Sequence, residues 1–591
     1  MRRGTVTTFT WLGSTGDWSQ AADWNPSGPP TGADDAVIAA AGRYVVSIAD
    51  TESESVGSVT LNDAAATLAV AGSLSVAGDF ALQHGVLDLS GVLAGGTVEA
   101  VGGRAVFDLG TLDGVTWQGT LRINNGGAAF VENGLTMEGA GGAGRGTIRI
   151  DSPGSQLVFT DSETLDNTII NIGNASVVDN LNASGTLTLG GSTVLNVVGV
   201  EGFDLGGGGA IVNNGVINAA VAGGLDTIDV TGFVNAHALY VKNGTTLAVS
   251  SDTFSNTGNI LIDGSSELDL FTSPTATQSA GGRVTIAGLL NAEGNTIDLG
   301  PQGAFAHTTL SGTLSDATVA VDGGAINFQL GTLDGVTWQG VLKITGAGAF
   351  VENGLTVERV GSSGPGIINI IGAASQLVFT DTETLDNLVI NVGNASAAAN
   401  LNANGSLTLG GHVTVNALGA GGFDLSGGGA IVNDGTINAA VAGGMAVIDV
   451  EAFANAGKLN VKNGATLAIA SPSLDNTGTI TVAGASELDL FTSPAATQGG
   501  PGTVTIAGLL NAEGSTIDLG ASSAFAVTTL SGTLANATIV SDGGSIDFQL
   551  GSLDATTWQG TLAIGDSGIA FVANGLTMQG AGGAGPGSID L

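Results

Sequence analysis

Three asparagines constrain this chain more than anything else in it. Asn213, Asn235 and Asn256 are spaced by 22 and then 21, in "IVNNGVI", "FVNAHAL" and "FSNTGNI". In each, the Asn follows an apolar residue by two positions and precedes an aliphatic one by four. Asn433, Asn455 and Asn476 repeat the spacing. A period near 21–22 with short alternating runs and Gly/Asn punctuation predicts one turn of a parallel β-solenoid per step. Coils then stack at strand spacing, about 4.8 Å, and the chain would make roughly 27 of them. Asn at one phase of successive coils can join in a side-chain amide ladder. Gly and Asn also tolerate the left-handed backbone of coil corners.

A longer repeat contains the short one. "GTLDGVTWQG" occupies 110–119 and again 331–340, and "GSLDATTWQG" occupies 551–560. Trp117, Trp338 and Trp558 therefore mark one coil in successive long units, at spacings of 221 and 220. "QLVFTDSETLDNTIIN" at 156–171 returns at 376–391 with three changes, and "ELDLFTSP" at 267–274 returns unchanged at 487–494. The organisation expected is a cap over 1–55, first coils over 56–96, and units over 97–317, 318–537 and 538–591. The third unit stops where Ile150 and Ile370 stand in the others, so the chain reads as a fragment of a longer one. Val115, Trp117, Leu121 and Ile123 share a parity, which points the ring into the core rather than outward to a sugar.

Composition agrees with an all-β chain and excludes several functions. Glycine accounts for 99 residues without a collagen period, and 43% of residues are hydrophobic, too many for a disordered chain. The apolar residues are mainly Ala, Val, Leu and Ile, interleaved with Thr, Asn, Ser and Asp. The net charge is −39, and the 13 basic residues are dispersed along the chain. That argues against nucleic acid and anionic membrane as partners. Cysteine is absent, and no apolar run is long enough for a membrane-spanning helix.

The first residues differ in kind. Trp11, Trp18 and Trp24 are followed by Pro26, Pro29 and Pro30. A solenoid's first coil exposes an open edge, so this segment is expected to be a lid. The alternative is a carbohydrate-binding head that uses the three tryptophans. The W…GDW…ADW…P…DDAVI lead-in, with later coils such as "NTGNILIDGSSELDL", resembles bacterial surface proteins of the autotransporter-passenger and β-strand-repeat type. The likeness covers nearly the whole chain through motifs that are compositional. It implies a right-handed parallel β-helix displayed or released outside a Gram-negative cell, often as an adhesin for host-cell or matrix glycans and proteins. Neither an export signal nor a membrane barrel is found in these 591 residues, so an outer-membrane translocator is expected outside this chain.

Chemistry-bearing residues are few. The histidines are His84, His237, His307 and His412, and none recurs in the other unit. Each reads as an outward polar position. Asp161, Glu163 and Asp166, with Asp381, Glu383 and Asp386, are the one candidate metal set; clustered oxygen ligands of this kind suit Ca²⁺. The plainer reading is a solvated acidic edge with no cofactor. The expected function is a non-enzymatic secreted or surface solenoid binding through repeated contacts. The alternatives are a polysaccharide lyase or hydrolase built on the same fold, and a purely structural filament.

Overall fold

The computed structural model describes residues 6–275, 281–361, 364–494 and 500–591. Strands take 58% of the chain and helix 2%, which leaves no helical layer. The chain is a parallel β-solenoid of about 24 turns, divided into units Met1–Thr308 and Thr309–Leu591. The count falls below the sequence-based one because coil length varies and many coils are longer than the Asn spacing, such as those from Ile170 to Leu195 and from Ile390 to Val415. Leu121 stacks on Ile148 after a long coil, whereas Val86 stacks on Arg104 after a much shorter one.

One turn of the first unit shows how the sequence makes the coil. Gly146–Ile150, Gln156–Phe159 and Glu163–Leu165 are its three strands. They stack in parallel on Thr168–Ile172, Asp179–Ala183 and Thr186–Leu189 of the next turn. Alternation places Ile148, Ile150, Leu157, Phe159 and Leu165 inside, all fully buried. Because successive coils are in register, inward residues stack as columns: Ile148, Ile170, Leu195 and Ile217 in one unit, Ile368, Ile390, Val415 and Ile437 in the other. Each such side chain contributes about 1.5–3 kcal/mol of burial.

Glycine is required where coils approach most closely. A Cβ on Gly209 would fall on the Gly185 carbonyl oxygen, and one on Gly429 on that of Gly405. Gly119 and Gly340 turn the corner after the tryptophan strand with φ of 97° and 126°, a region side-chain-bearing residues rarely adopt. The inward parity nevertheless continues across the corner, since Trp117, Leu121 and Ile123 are all buried.

At the N-terminus, Thr8–Trp11 pairs antiparallel with Trp24–Asn25 and parallel with Asp35–Ile38. Asp35–Ile38 and Tyr44–Ile48 already stack on later coil strands, so regular coiling begins before residue 56.

Candidate binding surface

The inner asparagines form a ladder that is wholly buried. Asn213 Nδ2 donates to Asn235 Oδ1 at 2.8 Å, and Asn235 Nδ2 to Asn256 Oδ1 at 2.7 Å. Asn256 Nδ2 closes the row on the Ala304 carbonyl at 2.9 Å. Asn433, Asn455 and Asn476 repeat the arrangement at 2.7 and 2.7 Å, closing on Ala524. These amides hold coils together and face no ligand.

The repeat tryptophans are equally enclosed. Trp117, Trp338 and Trp558 are each 1% exposed. Trp117 stacks between Val98 and Met137, and Trp338 between Val319 and Val357. Trp11, Trp18 and Trp24 are also buried and pack edge-on, with centroids 5.0 Å apart for Trp11–Trp24 and for Trp18–Trp24. None of the six rings offers a face to a sugar.

The six acidic residues do not converge as a ligand set. Asp161 accepts the Asn133 amide at 3.4 Å, Glu163 the Leu135 amide at 2.8 Å, and Asp166 the Ser192 amide at 2.9 Å. Asp381, Glu383 and Asp386 do the same for Asn353, Leu355 and His412, each at 3.2 Å. For Asp161, Glu163, Asp381 and Glu383 the reason lies one coil earlier, whereas Asp166 and Asp386 bind amides of the coil that follows. Asn133 and Asn353 have φ of 52°, and the strand register slips there. The bulge takes amides out of the ladder, and carboxylates from the following coil accept them. Burial pushes the Glu163 and Glu383 carboxyls up, while the Asn167 and Asn387 amides hold Asp166 and Asp386 down. Among the described residues no group of three His, Cys, Asp or Glu side chains is placed to share a metal ion. The four histidines are exposed on separate coils. His412 alone meets an acid, with Nδ1 3.2 Å from Asp386 Oδ1.

What the sequence reading missed is a second, outward asparagine ladder. In the second unit it runs Asn369, Asn391, Asn416, Asn438, Asn460, and the column continues in register through Thr481, Thr505 and Thr529. Each Nδ2 donates to the preceding Oδ1, at 2.9, 3.2, 3.0 and 2.9 Å. In the first unit Asn171, Asn196 and Asn218 form the same row, at 3.3 and 2.8 Å. These residues are half-buried, with side chains on the outer face of the sheet. An interior member of the row keeps one N–H and one oxygen lone pair for a partner, repeated once per coil.

No protein-family model matches this chain, and no curated protein matches it either. The surface itself must therefore carry the functional reading. Beside the asparagine column runs a second one, which includes Thr414, Thr436, Lys458, Thr479 and Thr503. The two columns present amides and hydroxyls with a single cation among these positions.

Proposed function

We propose that the chain is a non-enzymatic, surface-displayed or secreted solenoid, adhesin-like, that holds an extended neutral glycan of host-cell or matrix material through equivalent contacts repeated along the coil stack. The outward Asn/Thr column carries this reading. One donor and one acceptor recur at each interior asparagine of the row, and a hydroxyl at each threonine that continues it, so a polymer with its own repeat gains from each added contact. The column is almost uncharged on a chain of net charge −39, which disfavours anionic polymers and leaves neutral polyhydroxyl chains as the matching chemistry. The acidic residues singled out from the sequence accept backbone amides rather than facing a cleft, which weighs against the lyase or hydrolase alternative. The display outside a Gram-negative cell rests on the sequence resemblance.

The test is binding of the full chain to immobilised neutral polysaccharides and matrix material, against an acidic control protein of matched charge. Binding above the control, insensitive to moderate salt, is the expected outcome. A signal no greater than the control's overturns the adhesin reading.

A further inference from the structure

The second unit contains a surface cavity of about 500 Å³ lined by Val321, Val341, Val360 and Ile367 together with Lys343 and Arg359. Val341 and Val360 are 41% and 60% exposed, so its walls present unusual apolar area to water. Neither cation is in an ion pair among the described residues. Two uncompensated cations against aliphatic walls are conspicuous in a chain with 13 basic and 52 acidic residues.

The first unit shows what chemistry satisfies this corner. Its equivalent cavity, about 390 Å³, is lined by Arg104 and Arg122. Arg122 stands where Lys343 does, and Asp151 holds it at 3.0 Å while also binding Arg149 at 2.6 Å. In the second unit Asp151 is replaced by Ile371 and Arg149 by Asn369, while Gly139 becomes Arg359. The built-in carboxylate is gone, and the cation that Arg104 supplies in the first unit, where the second has Ala325, is supplied instead by Arg359 from the loop.

We infer that the Lys343–Arg359 cavity binds a small amphiphilic anion, a carboxylate with an aliphatic body, supplied from outside the chain. The carboxylate pairs with Lys343 and Arg359 from within the cavity, as the Asp151 carboxylate pairs with Arg122 beside it in the first unit, and the valines and Ile367 cover the apolar part. The volume lies within the range of small-molecule sites, and charge-assisted hydrogen bonds from Lys and Arg fix the head group. Lys343 stands in register on Asn369, so the site lies at the head of the outward column, but its ligand chemistry does not rest on the glycan reading and the two are tested with different ligands.

Calorimetric titration of the full chain with sodium octanoate tests it, with octanol and sodium glucuronate as neutral and polar-bodied controls. The variant is K343A/R359G, which places at both positions the residues the third unit already carries, Ala563 and Gly580. Saturable octanoate binding that weakens at least tenfold in the variant, at unchanged Tm, is expected. Octanol or glucuronate binding as tightly as octanoate, no saturable octanoate binding, or undiminished octanoate binding by the variant would each overturn the inference.

Discussion

Asp226 and Ala446 occupy the same place one unit apart, both 2% exposed, and only one of them carries a carboxylate. Asp226 Oδ1 accepts the Phe203 amide at 3.2 Å, and Oδ2 is buried without a hydrogen-bond partner. Burial pushes this carboxyl up to about 7. Asp269 rises to about 6, through burial first and the Glu267 charge second.

These raised values set a pH dependence with a definite sign. Between the ordinary value of 3.8 and about 7, the folded chain keeps a proton on Asp226 that the unfolded chain has released. The stabilisation from this proton is complete below the unfolded value and is lost as pH rises through the folded one. It amounts to at most about 4 kcal/mol. Melting followed by circular dichroism should give a lower Tm near pH 8 than near pH 5. The variant D226A, which copies Ala446, should melt higher than the parent at the upper pH and show a flatter profile. A variant that melts lower than the parent near pH 8 contradicts this account.

The inner ladder should be costly to interrupt. Asn235→Ala removes the acceptor for Asn213 and the donor for Asn256 in a site with no solvent. Two buried groups left wanting cost about 2–5 kcal/mol together. Hydrogen exchange should show protection falling around 213–259 first. Uniform loss along both units would argue against a local role.

Close backbone approach makes a second sensitive point. In Gly209→Ala the new methyl meets the Gly185 carbonyl, so the coils must part. Destabilisation of about 1–3 kcal/mol or more is expected from such overpacking. Gly208→Ala, next to it, meets nothing within 4 Å and serves as the control. Equal melting of the two variants would count against the close packing of these coils.

The acidic residues beside the bulge are assigned to structure, and a pair of substitutions separates that from a charge requirement. Glu163→Gln keeps an acceptor for the Leu135 amide, and Glu163→Ala does not. The alanine variant should lose about 1–3 kcal/mol, and the glutamine variant should melt close to the parent. If both lose stability equally, the charge of Glu163 matters rather than its hydrogen bond.

The coil was readable because the inner asparagines keep one phase: Asn213, Asn235 and Asn256 must meet for their amides to be satisfied, so their spacing reports the turn. Trp117 was readable from parity, since period two survives the corner at Gly119. The outward ladder was hidden by the same pattern. Asn171 in "IIN" and Asn218 in "VIN" sit among aliphatics as the inner asparagines do. Which side of the strand each occupies depends on corners whose positions the sequence leaves open. The basic residues looked dispersed because Arg122 and Arg149 lie a whole coil apart along the chain; stacking brings both onto Asp151. Coils of unequal length, short from Val86 to Arg104 and long from Leu121 to Ile148, likewise defeat a count based on a fixed period.

The central claim is that binding is spread along the outward column rather than held in one pocket. Replacing Asn391, Asn416, Asn438 and Asn460 by alanine cumulatively, one residue at a time, tests it by biolayer interferometry on an immobilised neutral glycan polymer. The account predicts apparent affinity falling in comparable steps with each substitution, while a monosaccharide competes poorly throughout. Full loss at a single substitution, or no loss after all four, would contradict it.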